Sequence, residues 1–572
     1  MRETSCAVSM EFIDLTAADD AKYSSASAQS ISKYYFTDDT VSHNYATSEL
    51  NQFILDGTKS LLSTDNTFGW YSEDKSNNQT AYSTPQVLHI KFDSLHSTSG
   101  LTFIFDESVP KAFSVVYKNN DMIVAHQDYS GEPNTNYIYC KCRAINYNEI
   151  VLTVTETQMP DTFVKLSYIL YGRQVHWAGA EIQDAKITEQ IDTTSTTVAI
   201  NTATISIIDT ANDFDLAAED GEWNFLQIGQ NFKITEYVND KEYFIGNMFL
   251  KKYTASKNIL TFTLNDMLTF LDNGTFTDGE MYENKNAREL ITQILDDNGL
   301  VTYEISDDIA EHTVTGYLAP QTHRKALQQV LFAIGAVADT SRRDNIKIFM
   351  PKLGANYYID RSRKFDQTKV TLSEYVSGVS TTYTEYMESD KLKTIVKPTL
   401  YPAGIYTINF TAPYYNYIIE GATLLESALN HVKINVETEG NVSISGYGYD
   451  TVQQTYNINA SQISAGEHTN IKSLSKMTLF EYPMVKNKQL LSNYQLRKTV
   501  NMKYISENER VGDWVLVEQR DYIGQVIVTK IISQTIDLTG GFLTTAKCVG
   551  WDSQSTDFAY TGEIYAGERG LI

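Results

Sequence analysis

Two similar β-rich phrases, far apart in the chain, constrain the fold more than any other feature of this sequence. The first begins at Ile228 and reads IGQNFKITEYVNDKEYFIGNMFL, and the second begins at Val511 and reads VGDWVLVEQRDYIGQVIVTK. Each opens with an aliphatic residue and Gly, alternates apolar with polar residues, and reaches an Ile-Gly pair. Alternation with a period of two is typical of strands that bury one face. The repeat therefore predicts two related antiparallel β-barrels in one chain.

Glycines mark corresponding places in the two phrases, and each predicts a tight turn where a side chain would be strained. The predicted structural turns of the repeated barrel are at Gly229, Gly246, Gly512, Gly524, Gly540 and Gly541. Among the apolar residues that follow, Phe232 matches Trp514 at a slightly shifted register. The alternative is that the phrases are unrelated β-meanders that share only the common alternation.

Composition supports a folded, strand-rich protein with an acidic surface. Apolar residues make up 42% of the chain, and 38 Tyr and 24 Phe with only 10 Pro favour strands and aromatic cores. The net charge of −25 disfavours stable binding to nucleic acid or anionic membranes, because phosphate contacts need clustered Lys and Arg. The longest apolar stretch, 330–338, is far shorter than the ~20 residues that span a bilayer. The acidic N-terminal residues also predict no secretion signal.

The predicted fold class is mainly β and multidomain, with two related antiparallel β-barrels, a small α+β domain and an inserted N-terminal β-sandwich. The α+β domain is predicted from ARELITQILDDNG and HRKALQQVLFAIG, where apolar residues recur at helical spacing. The predicted boundaries are 1–33 for the first strand of barrel 1 and a linker, 34–171 for the inserted sandwich, 172–275 for barrel 1, 276–369 for the α+β domain, 370–483 for a β-rich domain, 484–552 for barrel 2, and 553–572 for a C-terminal extension.

The sequence contains none of the common catalytic motifs: no nucleophile elbow, H-E-x-x-H, Walker loop or dinucleotide-binding fingerprint. Cys140 and Cys142 share one strand face, but no second pair at ligand spacing accompanies them, which disfavours a metal site. The charge run at Arg342 and Arg343 is interpreted as a solvated face, with pairing at an interface between copies as the alternative. We predict no enzyme activity, no cofactor and no metal.

The segment 34–171 is predicted to be an inserted module of short alternating strands, and it resembles jelly-roll carbohydrate-binding modules. In such modules an exposed aromatic ring stacks on a sugar while polar loop groups bind its hydroxyls. Trp70, Tyr71, Asn77 and Asn78 are the candidate glycan-binding residues. The alternatives are that Phe68, Trp70 and Tyr71 form the core of the sandwich, or that the module packs against a neighbouring protein.

The second phrase, extended to VGDWVLVEQRDYIGQVIVTKIISQTIDLTGGFLTTAKCVG, resembles the C-terminal barrel of phage tail hub proteins. AKITEQIDTTSTTVAINTATISIIDTANDFD resembles the first barrel of that family. The helical segment is similar to the α+β part of hubs from phages of Gram-positive bacteria. The resemblance covers about two thirds of the chain and rests on strand phrases rather than on catalytic motifs.

This resemblance implies a homotrimeric structural hub of a phage tail tip or baseplate. Such a hub would adapt the sixfold tail tube or distal tail protein to a threefold central spike or fibre. It would also form part of the channel for the tape measure protein and DNA. The implied location is the distal end of the virion tail, after assembly in the cytoplasm of the bacterial host. The alternatives are a receptor-binding tail protein that recognises host cell-wall glycans through the sandwich, and a polysaccharide-degrading enzyme.

Overall fold

A computed structural model of the chain is 60% strand and 12% helix, with several antiparallel sheets in a multidomain arrangement, so the predicted fold class is confirmed. The described residues are 3–14, 16–36, 45–46, 49, 56–57, 60–61, 69–106, 109–131, 135–209, 222–352, 354–365, 368–460, 468–518 and 526–551. Among them, no helix combines the length and apolar character needed to cross a membrane.

The first strand, β1 (Thr4–Ile13), pairs along both of its edges with strands that come later in the chain. After β1 the chain leaves this sheet and enters the inserted domain. The insertion contains helices α1 (Ala17–Asp20) and α2 (Lys33–Phe36) and the strands β2 (Lys22–Ser24), β3 (Ala28–Ile31), β4 (Tyr45–Ala46), β5 (Ser60–Leu61), β6 (Trp70–Ser72), β7 (Ala81–Phe105), β8 (Pro110–Asn119), β9 (Met122–Ser130), β10 (Tyr137–Thr157) and β11 (Lys165–Leu170).

Eight of these strands form one sheet in the order β3-β6-β11-β7-β10-β8-β9, with β2 paired to β7. Register shifts between Lys141 and Glu149 interrupt the long β7–β10 pairing, and such bulges bend strands. Leu88 and Phe103, near opposite ends of β7, consequently belong to the same core. The predicted start of this domain at residue 34 is corrected, because β2 and β3, assigned to a linker from the sequence, pair within its sheet.

The chain then returns to the first barrel, which consists of β1 and the strands β12 (Gly172–Ala178), β13 (Ile182–Gln190), β14 (Thr202–Ile208), β15 (Asn231–Val238), β16 (Lys241–Ser256) and β17 (Ile259–Asn265). The strand order is β12-β1-β15-β16-β17-β14-β13. Alternate residues of every strand enter one core, represented by Val8, Trp177, Ile187, Ile205, Phe232, Leu250 and Phe262. This alternation explains why the sequence reads as short amphipathic strands.

The α+β domain follows with β18 (Met281–Asn286), α3 (Ala287–Asn298), β19 (Tyr303–Ile305), β20 (Thr313–Tyr317), α4 (His323–Ile334), β21 (Val337–Asp339) and β22 (Ile346–Phe349). The Asn286 side chain accepts hydrogen bonds from the first turn of α3, and Gly299, at φ 66°, ends the helix. Thr322 and Gly335 delimit α4 in the same way. The apolar faces of the two helices share one core, as predicted.

Strands β23 (Ala355–Ile359) and β24 (Lys369–Leu372) precede a long hairpin. The hairpin domain contains β25 (Gly378–Tyr401), β26 (Gly404–Asn409), β27 (Tyr414–Glu420), β28 (Thr423–Ala428), β29 (His431–Val436), β30 (Gly440–Asn459) and β31 (Ile471–Met477). β25 and β30 pair along their whole length, and β26, β28 and β29 form a second small sheet. Val432, Ile434 and Ile444 lie in the core between these two sheets.

The last elements that the structure describes are β32 (Leu479–Phe480), α5 (Pro483–Tyr494), β33 (Lys498–Ile505), β34 (Trp514–Glu518), β35 (Val526–Asp537) and β36 (Leu543–Gly550). The second barrel consists of β33–β36 with β23 and β24, which pair with β34 and β33. Two predicted boundaries are therefore corrected. Residues 355–372, predicted to belong to the α+β domain up to 369 and to the β-rich domain from 370, complete the second barrel. Helix α5, most of which was assigned to barrel 2, contacts β25 and β30 of the hairpin.

Candidate functional site at the junction of the repeated units

The first repeated phrase forms a turn held by two backbone hydrogen bonds. The Gly229 amide donates to the Leu250 carbonyl at 2.8 Å, and the Leu250 amide donates to the Gln230 carbonyl at 2.9 Å. Gly229 has a φ of 94°, in the left-handed region that L side chains avoid. The turn therefore requires glycine where the sequence places it.

The second phrase forms the same turn. The Gly512 amide donates to the Ile531 carbonyl at 2.7 Å, the Ile531 amide donates to the Asp513 carbonyl at 3.0 Å, and Gly512 has a φ of 90°. Two β-meanders that shared only alternation would have no reason to repeat this pair of hydrogen bonds and this backbone angle. The repeat is therefore structural at these turns.

The strand pairing that follows each turn fixes the correspondence between side chains. Phe232 lies opposite Met248 in the first barrel, and Val515 lies opposite Thr529 in the second. Counted from the turn, Val515 occupies the position of Phe232, and both side chains are fully buried. The sequence match of Phe232 to Trp514 is thus corrected by one residue.

The other predicted turn glycines lie in different settings. Gly246 is inside β16, opposite Ile234 and beside a register shift, so it marks a bulge rather than a turn. Gly541 has a φ of 79° in the β35–β36 connection, and the Gly540 amide donates to Asp537 there. Gly524 lies outside the described residues.

Direct strand pairing joins the two barrels into a single sheet. β13 of the first barrel pairs antiparallel with β35 of the second, from Lys186 opposite Asp537 to Gln190 opposite Ser533. Phe542, from the second barrel, enters the core of the first. The repeated units are therefore fixed relative to one another by backbone hydrogen bonds and by a shared apolar contact.

A buried polar cluster lies at this junction and contains Glu189, Arg342, Gln534 and Glu509, the junction cluster. The Arg342 Nε atom lies 3.2 Å from Glu189 Oε1, and Gln534 Nε2 donates to Glu189 Oε2 at 2.6 Å. Arg342 also donates to the Glu509 backbone carbonyl. The Glu189 and Glu509 side chains are essentially inaccessible to water. These contacts connect three parts of the chain: both barrels and the loop after β21.

A second arginine completes the charge balance. Arg363 Nη2 donates to Glu509 Oε1 at 2.5 Å, and the Glu507 amide donates to Glu509 Oε2 at 2.8 Å. The Tyr504 hydroxyl donates to Gln534, and burial, followed by the charge of Glu509, raises the pKa of Tyr504. Both carboxylates of the junction cluster, Glu189 and Glu509, thus have a guanidinium partner, which offsets the cost of burying their charge.

The same loop contacts the first barrel again through Asp266. Its carboxylate accepts hydrogen bonds from the Asn201 amide at 2.7 Å, the Thr340 hydroxyl at 2.5 Å and the Leu268 amide at 3.1 Å. Burial raises the pKa of Asp266 to about 7, although these hydrogen bonds oppose the increase. Asp266 is therefore a carboxyl group that changes protonation near neutral pH at an interdomain contact.

A third polar cluster fastens the inserted domain to the first barrel. His96 Nδ1 lies 2.7 Å from an Asp14 carboxylate oxygen, and His96 Nε2 lies 2.9 Å from an oxygen of Asp20. Asp20 also accepts from the Ser94 amide, and the pKa of its carboxyl is lowered to about 2, chiefly by the His96 hydrogen bond. The Asp14 amide donates to the Tyr171 carbonyl, which joins the outgoing and returning chains.

The structure separates the four predicted glycan-binding residues. Trp70 is fully buried in the sandwich core, and Tyr71 is also buried, with its ring 5.0 Å from that of Phe163. The Asn77 side chain accepts from two amides of its own turn, and Asn78 is exposed beside it. The two rings do not present the open face that stacking on a sugar requires, so they match the core alternative. Phe68 lies outside the described residues.

Other candidate groups have structural surroundings. Cys140 is buried, and burial raises the pKa of its thiol. Within the part of the chain that the structure describes, no three His, Cys, Asp or Glu side chains are grouped to hold a metal ion. The interpretation of Arg342 as part of a solvated face is wrong, because its side chain is only 6% exposed.

Sequence reasoning missed the junction cluster, although one signal for it was present. Ile187 and Glu189 alternate at the end of β13 and Ile191 follows directly after it, and this spacing places Glu189 on the buried face between two apolar residues. A carboxylate at such a position needs a buried cationic partner. The pattern predicts that a partner exists, but it does not identify Arg342.

Comparison with known proteins gave no matching family model and no matching curated protein. Similar solved structures include a tail protein from Neisseria meningitidis (8% identity, 66% of this chain and 94% of that chain, TM-score 0.40). A prophage tail protein from Listeria monocytogenes is 9% identical, covers 67% of this chain and 92% of its own, and has a TM-score of 0.39. A 43 kDa prophage tail protein from Shewanella oneidensis is 9% identical, covers 67% of this chain and 96% of its own, and has a TM-score of 0.38. Likeness at these scores establishes neither the fold nor the function of this chain.

Proposed function

We propose that this chain is a structural protein of a phage tail and, more specifically, the trimeric hub of a tail tip or baseplate. The observation that carries the proposal is the repetition of one turn, with the same two hydrogen bonds and nearly the same φ, at Gly229 and Gly512. Both barrel phrases resemble those of phage tail hub proteins, and this resemblance is the reason for relating the repeated turn to a hub.

The geometric argument follows from symmetry. A cyclic trimer of a chain with two similar barrels presents six similar units around one axis, and cyclic symmetry is the usual solution for homo-oligomers. Such a ring matches a sixfold tail tube or distal tail protein on one side and a threefold spike or fibre on the other. The continuous β13–β35 pairing supports this use, because adjacent units in a ring must keep a fixed spacing.

The acidic charge is compatible with a passage for the tape measure protein and DNA. With a net charge of −25, the chain repels phosphate, so a channel built from it would let DNA pass without holding it. The receptor-binding alternative would need an open aromatic face in the inserted domain. Trp70 and Tyr71 are buried and give it no support.

Light scattering of the purified full-length protein tests the hub proposal. Alone, the protein should have a mass of three times 64.6 kDa; in a complex with the distal tail protein of the same phage, this chain should contribute that mass in addition to the mass of the partner. Electron microscopy of that species should show threefold averages with six peripheral densities of similar size. A monomer under both conditions, or a ring of any number other than three, would exclude the proposed geometry.

A further inference from the structure

Three partly exposed tyrosines form a group on one face of the hairpin domain, the tyrosine face: Tyr415 on β27 and Tyr447 and Tyr449 on β30. Tyr415 lies directly opposite Tyr447 in the strand pairing. Glu388 of β25 lies directly opposite Tyr449. Residues directly opposite in an antiparallel pair point to the same side of a sheet, so these side chains share one surface.

This surface is the outer side of the sheet. A Cβ at Gly446 would lie 3.1 Å from Ile395 Cδ1 and 3.3 Å from Tyr417 Cδ1, both in the layer that packs on the hairpin core. Residue 446 alternates with Tyr447, so the tyrosine face points the other way. The core of the hairpin domain therefore leaves these three rings uncovered.

The three rings are arranged at angles to each other. The ring centres of Tyr415 and Tyr447 are 5.9 Å apart with an interplanar angle of 34°, and those of Tyr415 and Tyr449 are 5.4 Å apart at 61°. Stacking several sugar rings would require coplanar faces. At these distances the rings contact one another and enclose no gap, so a compact cation would lie over their outward faces, to which it is attracted.

Carboxylates without partners adjoin the rings. Among the described residues, neither Glu388 nor Asp390 has a hydrogen-bond or ion-pair partner. Asp390 lies in a bulge of β25, where the Tyr415 hydroxyl donates to the Ser389 carbonyl at 3.3 Å. Partial burial, then the charges of Glu388 and Asp390, raise the pKa of Tyr415. Two carboxylates without partners in the described part of the chain therefore lie beside the tyrosine face.

We propose that the tyrosine face binds the lysine or arginine side chains of a basic segment in a partner protein. The rings would hold the cation by cation–π attraction, and the free carboxylates of Glu388 and Asp390 would pair with its charge. The complementarity is local as well as global, because a chain with a net charge of −25 attracts basic partners at a distance. This inference does not depend on the hub role.

Calorimetric titration of the full-length protein with a hexapeptide of alternating Arg and Gly tests the site. Tyr447→Leu and Glu388→Gln should each weaken binding roughly three-fold or more, the range that cation–π and charge pairing supply. The matched controls are Tyr482→Leu and Glu426→Gln, which change an exposed tyrosine and an exposed glutamate elsewhere. These controls should bind the peptide as the unmodified protein does.

Three outcomes would overturn the proposal: no heat of binding, equal weakening by site and control variants, or displacement of the peptide by a neutral hexasaccharide. A second measurement needs no variant. Methylguanidinium added to protein with ¹³C-labelled tyrosine should shift the ring signals of Tyr415, Tyr447 and Tyr449 more than the other tyrosine signals. Uniform shifts across all tyrosines would count against a site.

Discussion

Two buried carboxylates of the first barrel contact the same loop, but only one of them has a charged partner. Glu189 faces the guanidinium of Arg342, whereas Asp266, which meets Thr340 two residues earlier in the loop, receives only neutral donors. Burial consequently raises the pKa of Asp266 to about 7. The two carboxylates lie at neighbouring interdomain contacts. Their different electrostatic states therefore follow from the donors that each one meets, not from where it lies in the fold.

The comparison shows how one loop can combine a permanent contact with a titratable one. A guanidinium stays charged throughout the accessible pH range, so the Arg342 contact keeps its cation under all working conditions. A carboxyl held by hydroxyl and amide donors is instead sensitive to pH. The first contact should therefore govern whether the units stay together, and the second how that stability depends on pH.

Replacing Arg342 with Met should have the largest effect on the comparison. The change leaves Glu189 buried without a cation, and breaking a buried pair in this way costs about 3–5 kcal/mol of unfolding free energy. Chemical denaturation followed by tryptophan fluorescence measures the loss. We expect the transition midpoint to fall with little change in the slope.

Arg288→Met is the matched control, because Arg288 pairs with Asp307 at the surface. Exposed pairs contribute about 0–1 kcal/mol, so this variant should unfold nearly as the unmodified protein does. The double variant Glu189→Gln/Arg342→Met should recover part of the loss, because no buried charge is left alone. Equal losses for the Arg342 and Arg288 variants would show that the junction cluster does not behave as a buried pair.

Alanine at Gly229 or Gly512 should have the next largest effect, about 1–2 kcal/mol each, because both residues have a φ near 90°. Gly246→Ala is the control, since a Cβ there would meet only the Met248 sulfur, at 4.0 Å. That variant should unfold within about 0.5 kcal/mol of the unmodified protein. If Gly512→Ala is as mild as Gly246→Ala, the second turn does not require glycine.

Much of the fold could be predicted because its signals are local. The apolar faces of α3 and α4 lie within short windows, and the structure has them where the sequence indicated. The repeat was recognised because its glycines mark backbone angles that other residues avoid. Alternation identified the strands, but it could not assign strands 355–372 to the second barrel, because pairing partners leave no local signal.

The polar contacts were harder to predict for the same reason. Glu189 and Arg342 are 153 residues apart, and neither sequence segment contains a signal that identifies the other as its partner. The environment of Trp70 was ambiguous for a similar reason. An aromatic residue among Asn, Asp and Ser is typical both of a glycan-binding loop and of a strand that enters a core. Only the pairing of β6 with β3 and β11 decided for the core.

The last prediction concerns Asp266 and the pH dependence of stability. The folded state keeps this carboxyl protonated up to a pKa of about 7, whereas an ordinary carboxyl, with a pKa of 3.8, has lost its proton well below that pH. The unfolding free energy should therefore fall as the pH rises through this interval, by about 1 kcal/mol between pH 6 and pH 7. Asp266→Asn, which cannot ionise, should remove this part of the slope.

Denaturation midpoints at pH 5, 6, 7 and 8 for the Asp266→Asn and unmodified proteins measure the difference. Arg288→Met serves here as the contrasting variant, because loss of its surface pair with Asp307 leaves no buried carboxylate and should not change the slope. If Asp266→Asn keeps the full slope, the three hydrogen bonds to Asp266 must outweigh its burial and hold the carboxylate charged. Both contacts of the loop would then be permanent, and the pH dependence would have to arise elsewhere in the chain.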